Sequence, residues 1–161
     1  MRADQLAAGG SPRAGTPRVL FVCVKNAGKS QMAAGLMNAA AGDSVDVTSA
    51  GTRPGEAVKS LSAQSLLEVG VDITGARPRP VTADLIAAAD VVVTLGTEAR
   101  IDDDLVAAAA ERQPGTRFET WVTDEPSSRG IDGLERMRLV RDDIAARVDD
   151  LRDRLLAGPT H

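Results

Sequence analysis

This chain has a single cysteine, Cys23, no tyrosine, and one histidine, which is its last residue, His161. A lone cysteine can form neither an internal disulfide nor a cysteine-rich metal site. With no histidine inside the chain, Ser-His, Cys-His and His-ligated metal centres have no footing, and no metal is expected. Lysine is scarce too: of 19 Lys plus Arg, only Lys25, Lys29 and Lys59 are lysines. No apolar run is long enough to span a membrane, and "MRADQLAAGGSPRAGTPR" lacks the apolar core of a signal peptide. Residues 1–17 therefore read as a disordered leader, and the cytoplasm as the default compartment. The net charge of -4 points away from nucleic acid and anionic membranes. Any anion bound here must be held by local dipoles and a few placed cations.

What is present is the composition of one globular domain, 161 residues with 43% hydrophobic and 26% charged, expected over 18–158. "RVLFVCV" reads as a strand buried on both faces, and "SQMAAGLMNAA" as a helix ended by Gly42-Asp43. "SVDVTSAGT" alternates as a second strand. "KSLSAQSLLEVG" reads as a helix with Leu61, Leu66, Leu67 and Val69 on or near one face. "TADLIAAA" is a short helix, "DVVVTLG" a third strand, "TEARIDDDLVAAAAER" partly helical and "TRFETWV" a fourth strand. The turn-rich "TDEPSSRGIDG" precedes a long helix that Asp132 and Glu135 could cap. Its stripe is Leu134, Met137, Val140 or Arg141, Ile144, Val148, Leu151 and Leu155, with Gly158-Pro159 as its stop. Strands alternating with helices predict a parallel sheet covered on both faces, with a ligand beyond the C-terminal strand ends. Cys23 lies where the first strand runs out.

The eight residues "CVKNAGKS" are almost a nucleotide P-loop, with Gly28, Lys29 and Ser30 in place. The leading glycine, however, is Cys23. The candidate magnesium strand carries Asp90 at its wrong end, and no base-reading motif appears. The other reading keeps every residue in use. A strand delivers a thiol, the tight loop Val24, Lys25, Asn26, Ala27 and Gly28 wraps back, and a helix starts near Ser30. Loop N–H groups and the helix N-terminus then form a concave anion site, whose field favours the thiolate without a histidine. Gly28 lets the backbone close in, Asn26 tolerates a left-handed conformation, and Ser30 can donate its hydroxyl to the sulfur. A lone cysteine after an apolar strand is ordinarily an inert buried side chain; the "KNAGKS" that follows argues for a nucleophile.

"VLFVCVKNAGKSQMA" resembles the C-x5-R-S loop of the low-molecular-weight tyrosine phosphatase family, and more closely that of its arsenate-reductase branch. "SAGTRP" is similar to that family's second-strand signature, "ADVVVTLG" to its third, and "TDEPSSRG" to the Asp-Pro loop that supplies a general acid. The resemblance runs from Arg18 through nearly all of the chain. It implies an α/β fold of three layers, a four-stranded parallel sheet flanked by helices. It also implies that Cys23 attacks a tetrahedral oxyanion held by residues 24–29.

Three departures shape the expected chemistry. The loop arginine is here Lys29, a point charge in place of a planar fork. Single-cysteine arsenate reductases of actinobacterial type, which use mycothiol, also carry lysine there. Glu125 directly precedes the proline, with Asp124 one residue earlier; either could be the acid, Asp124 being the type the family uses. Aromatic walls for a phenyl ring are missing, since Phe21, Phe118 and Trp121 read as core. Thioredoxin-coupled reductases carry two further cysteines, one just after the third strand, where this chain has Gly96. The resemblance thus implies a thiol-dependent arsenate reductase with catalytic residues Cys23, Lys29, Ser30 and Asp124 or Glu125. Its expected co-substrate is a small thiol such as mycothiol, and its redox partner a glutaredoxin-like protein of mycoredoxin type. A phosphatase, and a non-catalytic oxyanion-binding module, are the alternatives.

Overall fold

The computed structural model describes residues 15–157. Most of the leader, His161 and the Gly158-Pro159 stop lie outside the described residues. Four strands, β1 (Arg18–Cys23), β2 (Asp46–Gly51), β3 (Val91–Leu95) and β4 (Arg117–Trp121), form one sheet in the order β2-β1-β3-β4, every pair parallel. The expected four-stranded α/β architecture is thus what the chain adopts. Between the strands run α1 (Lys29–Ala41), α2 (Ser60–Leu67), α3 (Ala83–Ala88) and α4 (Asp103–Arg112), with α5 (Gly133–Leu156) last. Among the described residues no helix is long and apolar enough to cross a membrane.

Because side chains alternate along a strand, β1 splits between two cores. Val19, Phe21 and Cys23 face α1, α2 and α5, while Leu20 and Val22 face α3 and α4. Phe21 and Trp121 meet in the first core with ring centroids 5.6 Å apart. The chain leaves β1 for α1 on one face and β3 for α4 on the other. Their C-terminal ends therefore diverge, opening the crevice where such sheets bind ligands. Cys23 ends β1 at that crevice.

The α5 stripe packs as its periodicity requires, with Met137, Val140, Ile144, Val148 and Leu151 buried. Both residues at the alternative position, Val140 and Arg141, are buried. Arg141 is a clamp: its NH1 donates to Ser65 O (2.9 Å) and Glu68 Oε1 (3.0 Å), tying α2 to α5. Arg138 donates to the same carboxylate and, with Arg141, holds it down at about 2.

Three expectations need correction. On α2 the buried residues are Ser62, Ala63, Ser65 and Leu66, whereas Leu61, Leu67 and the following Val69 are exposed. The helix turns inward the face carrying Ser62, Ala63, Ser65 and Leu66, so of the expected leucines only Leu66 joins the core. Phe118 is 47% exposed, because β4 is an edge strand and α4 buries only Ala109. Asp132 does occupy the N-cap of α5, yet its side chain caps nothing. Gly133 follows with φ of 63°, which turns the first helical N–H groups off the carboxylate.

Candidate active site

The loop after β1 is shaped by what its carbonyls bond. Cys23 O accepts from Thr52 N–H (3.0 Å), Val24 O from Arg53 N–H (2.7 Å), Lys25 O from Gly55 N–H (2.9 Å) and Ala27 O from Lys59 N–H (2.8 Å). All four point at one wall, residues 52–59. In a planar trans peptide the next residue's N–H points opposite to the carbonyl, and no peptide here is cis. The N–H groups of Val24, Lys25, Asn26 and Gly28 therefore face away from the wall. Asn26 verifies this directly, since its N–H donates to Cys23 Sγ at 3.2 Å. The amides of Val24, Lys25, Ala27 and Gly28 donate to no protein acceptor among the described residues. Such an array of free donors beside a sulfur, at the start of α1, is an anion nest.

Asn26 is the loop's keystone, with φ of 52° and no solvent exposure. Its Nδ2 donates to Ser30 Oγ (2.7 Å) and Ser49 Oγ (3.1 Å), and its Oδ1 accepts from Arg79 N–H (3.1 Å) and Gln31 Nε2 (3.2 Å). Gln31 Nε2 also reaches Asn26 O (3.1 Å) and Arg77 O (3.2 Å). Because the Ser30 oxygen already accepts from Asn26, its hydrogen is free for Cys23 Sγ, 2.9 Å away. Two donors thus face the sulfur, which is 8% exposed.

Gly28, expected to allow close approach, is not crowded: a Cβ there would sit 3.6 Å from Ser62 Oγ, an ordinary contact. The close approach is at Gly51, where a Cβ would come within 2.7 Å of Val24 O and 3.0 Å of Asn26. We predict that Gly51→Ala pushes the loop off its wall and destabilises the protein by about 1–3 kcal/mol. A thermal unfolding midpoint equal to that of the unmodified protein would contradict this.

The acid loop arrives from the far end of the sheet. Asp124 N–H donates to Asp143 Oδ2 on α5 (2.7 Å), and Arg147 of α5 holds both Asp143 (3.2 Å) and Val122 O (2.9 Å). The two candidate acids then part. Both oxygens of Asp124 are taken by Arg129, at 2.8 and 3.1 Å, and this guanidinium holds the carboxyl below the usual carboxylate range. Glu125 reaches across the crevice, its Oε2 2.7 Å from Lys29 Nζ. Glu125 is thereby tied to Lys29, the neighbour of Ser30 at the start of α1, while Asp124 faces its own arginine. Gln31, Ser49, Gly51 and Arg79 escaped the sequence reading. Ser49 and Gly51 stand inside "SAGTRP" and Gln31 inside "VLFVCVKNAGKSQMA"; Arg79 acts through its backbone N–H and lies in no motif.

Comparison with known proteins agrees with this geometry. A putative arsenate reductase from Halobacterium salinarum is 31% identical over 144 residues, covering 86% of this chain and 92% of the relative. The solved Corynebacterium glutamicum thioredoxin-dependent arsenate reductase superposes with a TM-score of 0.68 at 32% identity, covering 89% of this chain. The chain spans only 64% of that protein's length. An arsenate reductase solved in a phosphate-binding state gives a TM-score of 0.69 at 30% identity, covering 86% of this chain and 98% of the other. The family model that matches residues 18–157 is the low molecular weight phosphotyrosine protein phosphatase. With the match spanning nearly the whole of the described chain, the chain belongs to the low molecular weight phosphotyrosine protein phosphatase family.

Proposed function

We propose that this protein is a thiol-dependent arsenate reductase in which Cys23 is the nucleophile. The observation that carries the reading is the thiol itself, the only one in the chain, beside the loop amides and the Ser30 hydroxyl at the start of α1. Relatives named arsenate reductases support arsenate as the oxyanion. The Cys23 thiolate forms a sulfur–arsenic bond and one arsenic–oxygen bond breaks, the departing oxygen taking a proton and leaving as water. A small thiol, with mycothiol the proposed donor, then displaces Cys23 and carries the As(V) away as its own adduct. A glutaredoxin-like thiol attacks that adduct's sulfur. The two thiols become a disulfide, losing two electrons, and arsenic leaves as arsenite, gaining them.

Glu125 is the proposed proton donor in the first step, with Asp124 a positioning residue held by Arg129. Glu125→Gln should lower arsenate kcat by about a hundredfold, within the range for loss of a general acid, and Asp124→Asn by much less. The reverse ranking would transfer the role to Asp124; two near-neutral results would make the loop structural.

The phosphatase alternative is favoured by the family's own name and shares every residue of this site. Turnover of arsenate and of an aryl phosphate, each with and without a small thiol, separates them. Thiol-dependent arsenite supports the reductase, and thiol-free phosphate release the phosphatase. Oxyanion binding with neither turnover identifies a binding module.

A further inference from the structure

Four cations, Arg53 and Lys59 on the wall and Arg77 and Arg79 on the segment before α3, are tied through polar contacts to the Cys23 loop or to Gln31 at the start of α1. The N–H groups of Arg53 and Lys59 bond Val24 O (2.7 Å) and Ala27 O (2.8 Å). The N–H of Arg79 bonds the Asn26 side chain at 3.1 Å, and Arg77 O accepts from Gln31 Nε2 at 3.2 Å. The bonds that shape the loop therefore also fix where these cations start. The side chains of Arg53, Lys59 and Arg77 are exposed and meet no carboxylate among the described residues. Arg79 donates its Nε only to Ser49 O (3.2 Å). Most arginines of α5 behave differently: Arg138, Arg141, Arg147, Arg152 and Arg154 each pair with an acid, while Arg136 donates to Met137 Sδ.

The other charges of this face largely cancel. Lys29 pairs with Glu125 and Arg129 with Asp124; in the turn after β3 Glu98 and Arg100 are two residues apart, and Asp102, Asp103 and Asp104 open α4 on the other face of the sheet. Lys25 adds to the positive side from the loop itself, and Glu56 is the one exposed acid of the wall. Glu68, the next acid along the chain, is turned to Arg138 and Arg141, and Asp72 to Thr74. In a chain of net charge -4, a cluster of unpaired cations around one loop makes a local field of the opposite sign.

We propose that Arg53, Lys59 and Arg77 form an electrostatic collar that raises the local concentration of anions at Cys23 and favours doubly charged oxyanions over neutral reactants. The collar acts before chemistry, so it moves KM and the encounter rate and leaves kcat alone. It deepens the arsenate reading, on which it rests for its substrate, but its test does not need arsenate.

The probe is alkylation of Cys23 by iodoacetate, an anion, against iodoacetamide, its neutral counterpart. In the triple variant Arg53→Gln, Lys59→Gln, Arg77→Gln, the iodoacetate rate should fall about threefold or more at low ionic strength, and the iodoacetamide rate should hold. Salt of about 0.5 M should erase the difference, because the Debye length then shrinks to a few ångströms. Glu56→Gln, which removes a negative charge from the same wall, should raise the iodoacetate rate alone. If the triple variant misfolds, a changed iodoacetamide rate reveals it, and Glu56→Gln decides by itself. An unmoved iodoacetate-to-iodoacetamide ratio in the folded variants overturns the collar. For arsenate, KM should rise several-fold at unchanged kcat. A protein that prefers iodoacetate but never turns over arsenate defeats the proposed reaction and leaves the collar standing. Turnover whose KM ignores these substitutions does the opposite.

Discussion

Cys23→Ser is expected to reduce arsenate turnover by about ten-thousandfold or more while leaving the fold and oxyanion binding in place. The side chain is nearly the same size and is buried at the end of β1, so the core around Val19 and Phe21 has no reason to move. What is lost is an ionisable nucleophile. The two groups that reach the sulfur, the Ser30 hydroxyl and Asn26 N–H, are not bases. Neither can take a proton from a serine hydroxyl, and no histidine lies within the chain before its last residue. The donor array that favours a thiolate therefore gives an alcohol no help. Titration of phosphate binding by calorimetry, beside a turnover assay, reads both halves of the expectation. Retention of a tenth of the activity would remove Cys23 from the chemistry, and loss of phosphate binding would show that the substitution collapsed the loop.

The second large effect is all-or-none. Purified protein given arsenate and thioredoxin, with no small thiol, should release no arsenite beyond trace; adding mycothiol and a glutaredoxin-like protein should start multiple turnovers. The reason is in the sulfur's surroundings. Reduction needs two thiols for every arsenic, and this chain owns one, with Gly96 in the turn after β3. A second copy of the protein offers only another Cys23, equally recessed at 8% exposure. A protein thiol would have to enter the nest between Ser30, Asn26 and the Lys29–Glu125 pair to reach an adduct there. A small thiol can enter, take the arsenic out, and present a sulfur that a protein can attack. Arsenite measured over time, with thiol and redox protein varied separately, is the assay. Sustained turnover with thioredoxin alone would refute the scheme.

Much of this molecule is local and was legible as such. An apolar run ending in a cysteine makes β1; "KNAGKS" makes a tight loop with an Asn in the left-handed region and a helix start; Ser30 returns one turn later to the sulfur. The stripe of α5 and the parallel sheet follow from periodicity and alternation in the same way. For the loop and the helices the deciding interactions lie within a few residues of one another, so the residue pattern and the physical cause coincide; the sheet pairs residues as distant as Val19 and Val91, but each of its strands is marked by its own residues.

The tertiary structure decided what depends on distant partners. Lys29 and Glu125 are 96 positions apart, and nothing in "TDEPSSRG" reveals that Glu125 rather than Asp124 crosses to the loop; Arg129 makes that choice by occupying Asp124. The direction of the loop amides is set by residues 52–59, whose N–H groups draw the carbonyls outward. Gly51 needs its missing side chain only because Val24 O lies against it. Leu61 and Phe118 look like core in the sequence and are exposed, because α2 turns the face carrying Ser62, Ser65 and Leu66 inward and β4 stands at an edge. Thus the sequence by itself determined the thiol, its loop and which segments become strands and helices, since neighbouring residues suffice for each. Which acid meets the loop, which way its amides point and which cations surround it were left to long-range packing, because those answers are distances between segments that no local pattern contains.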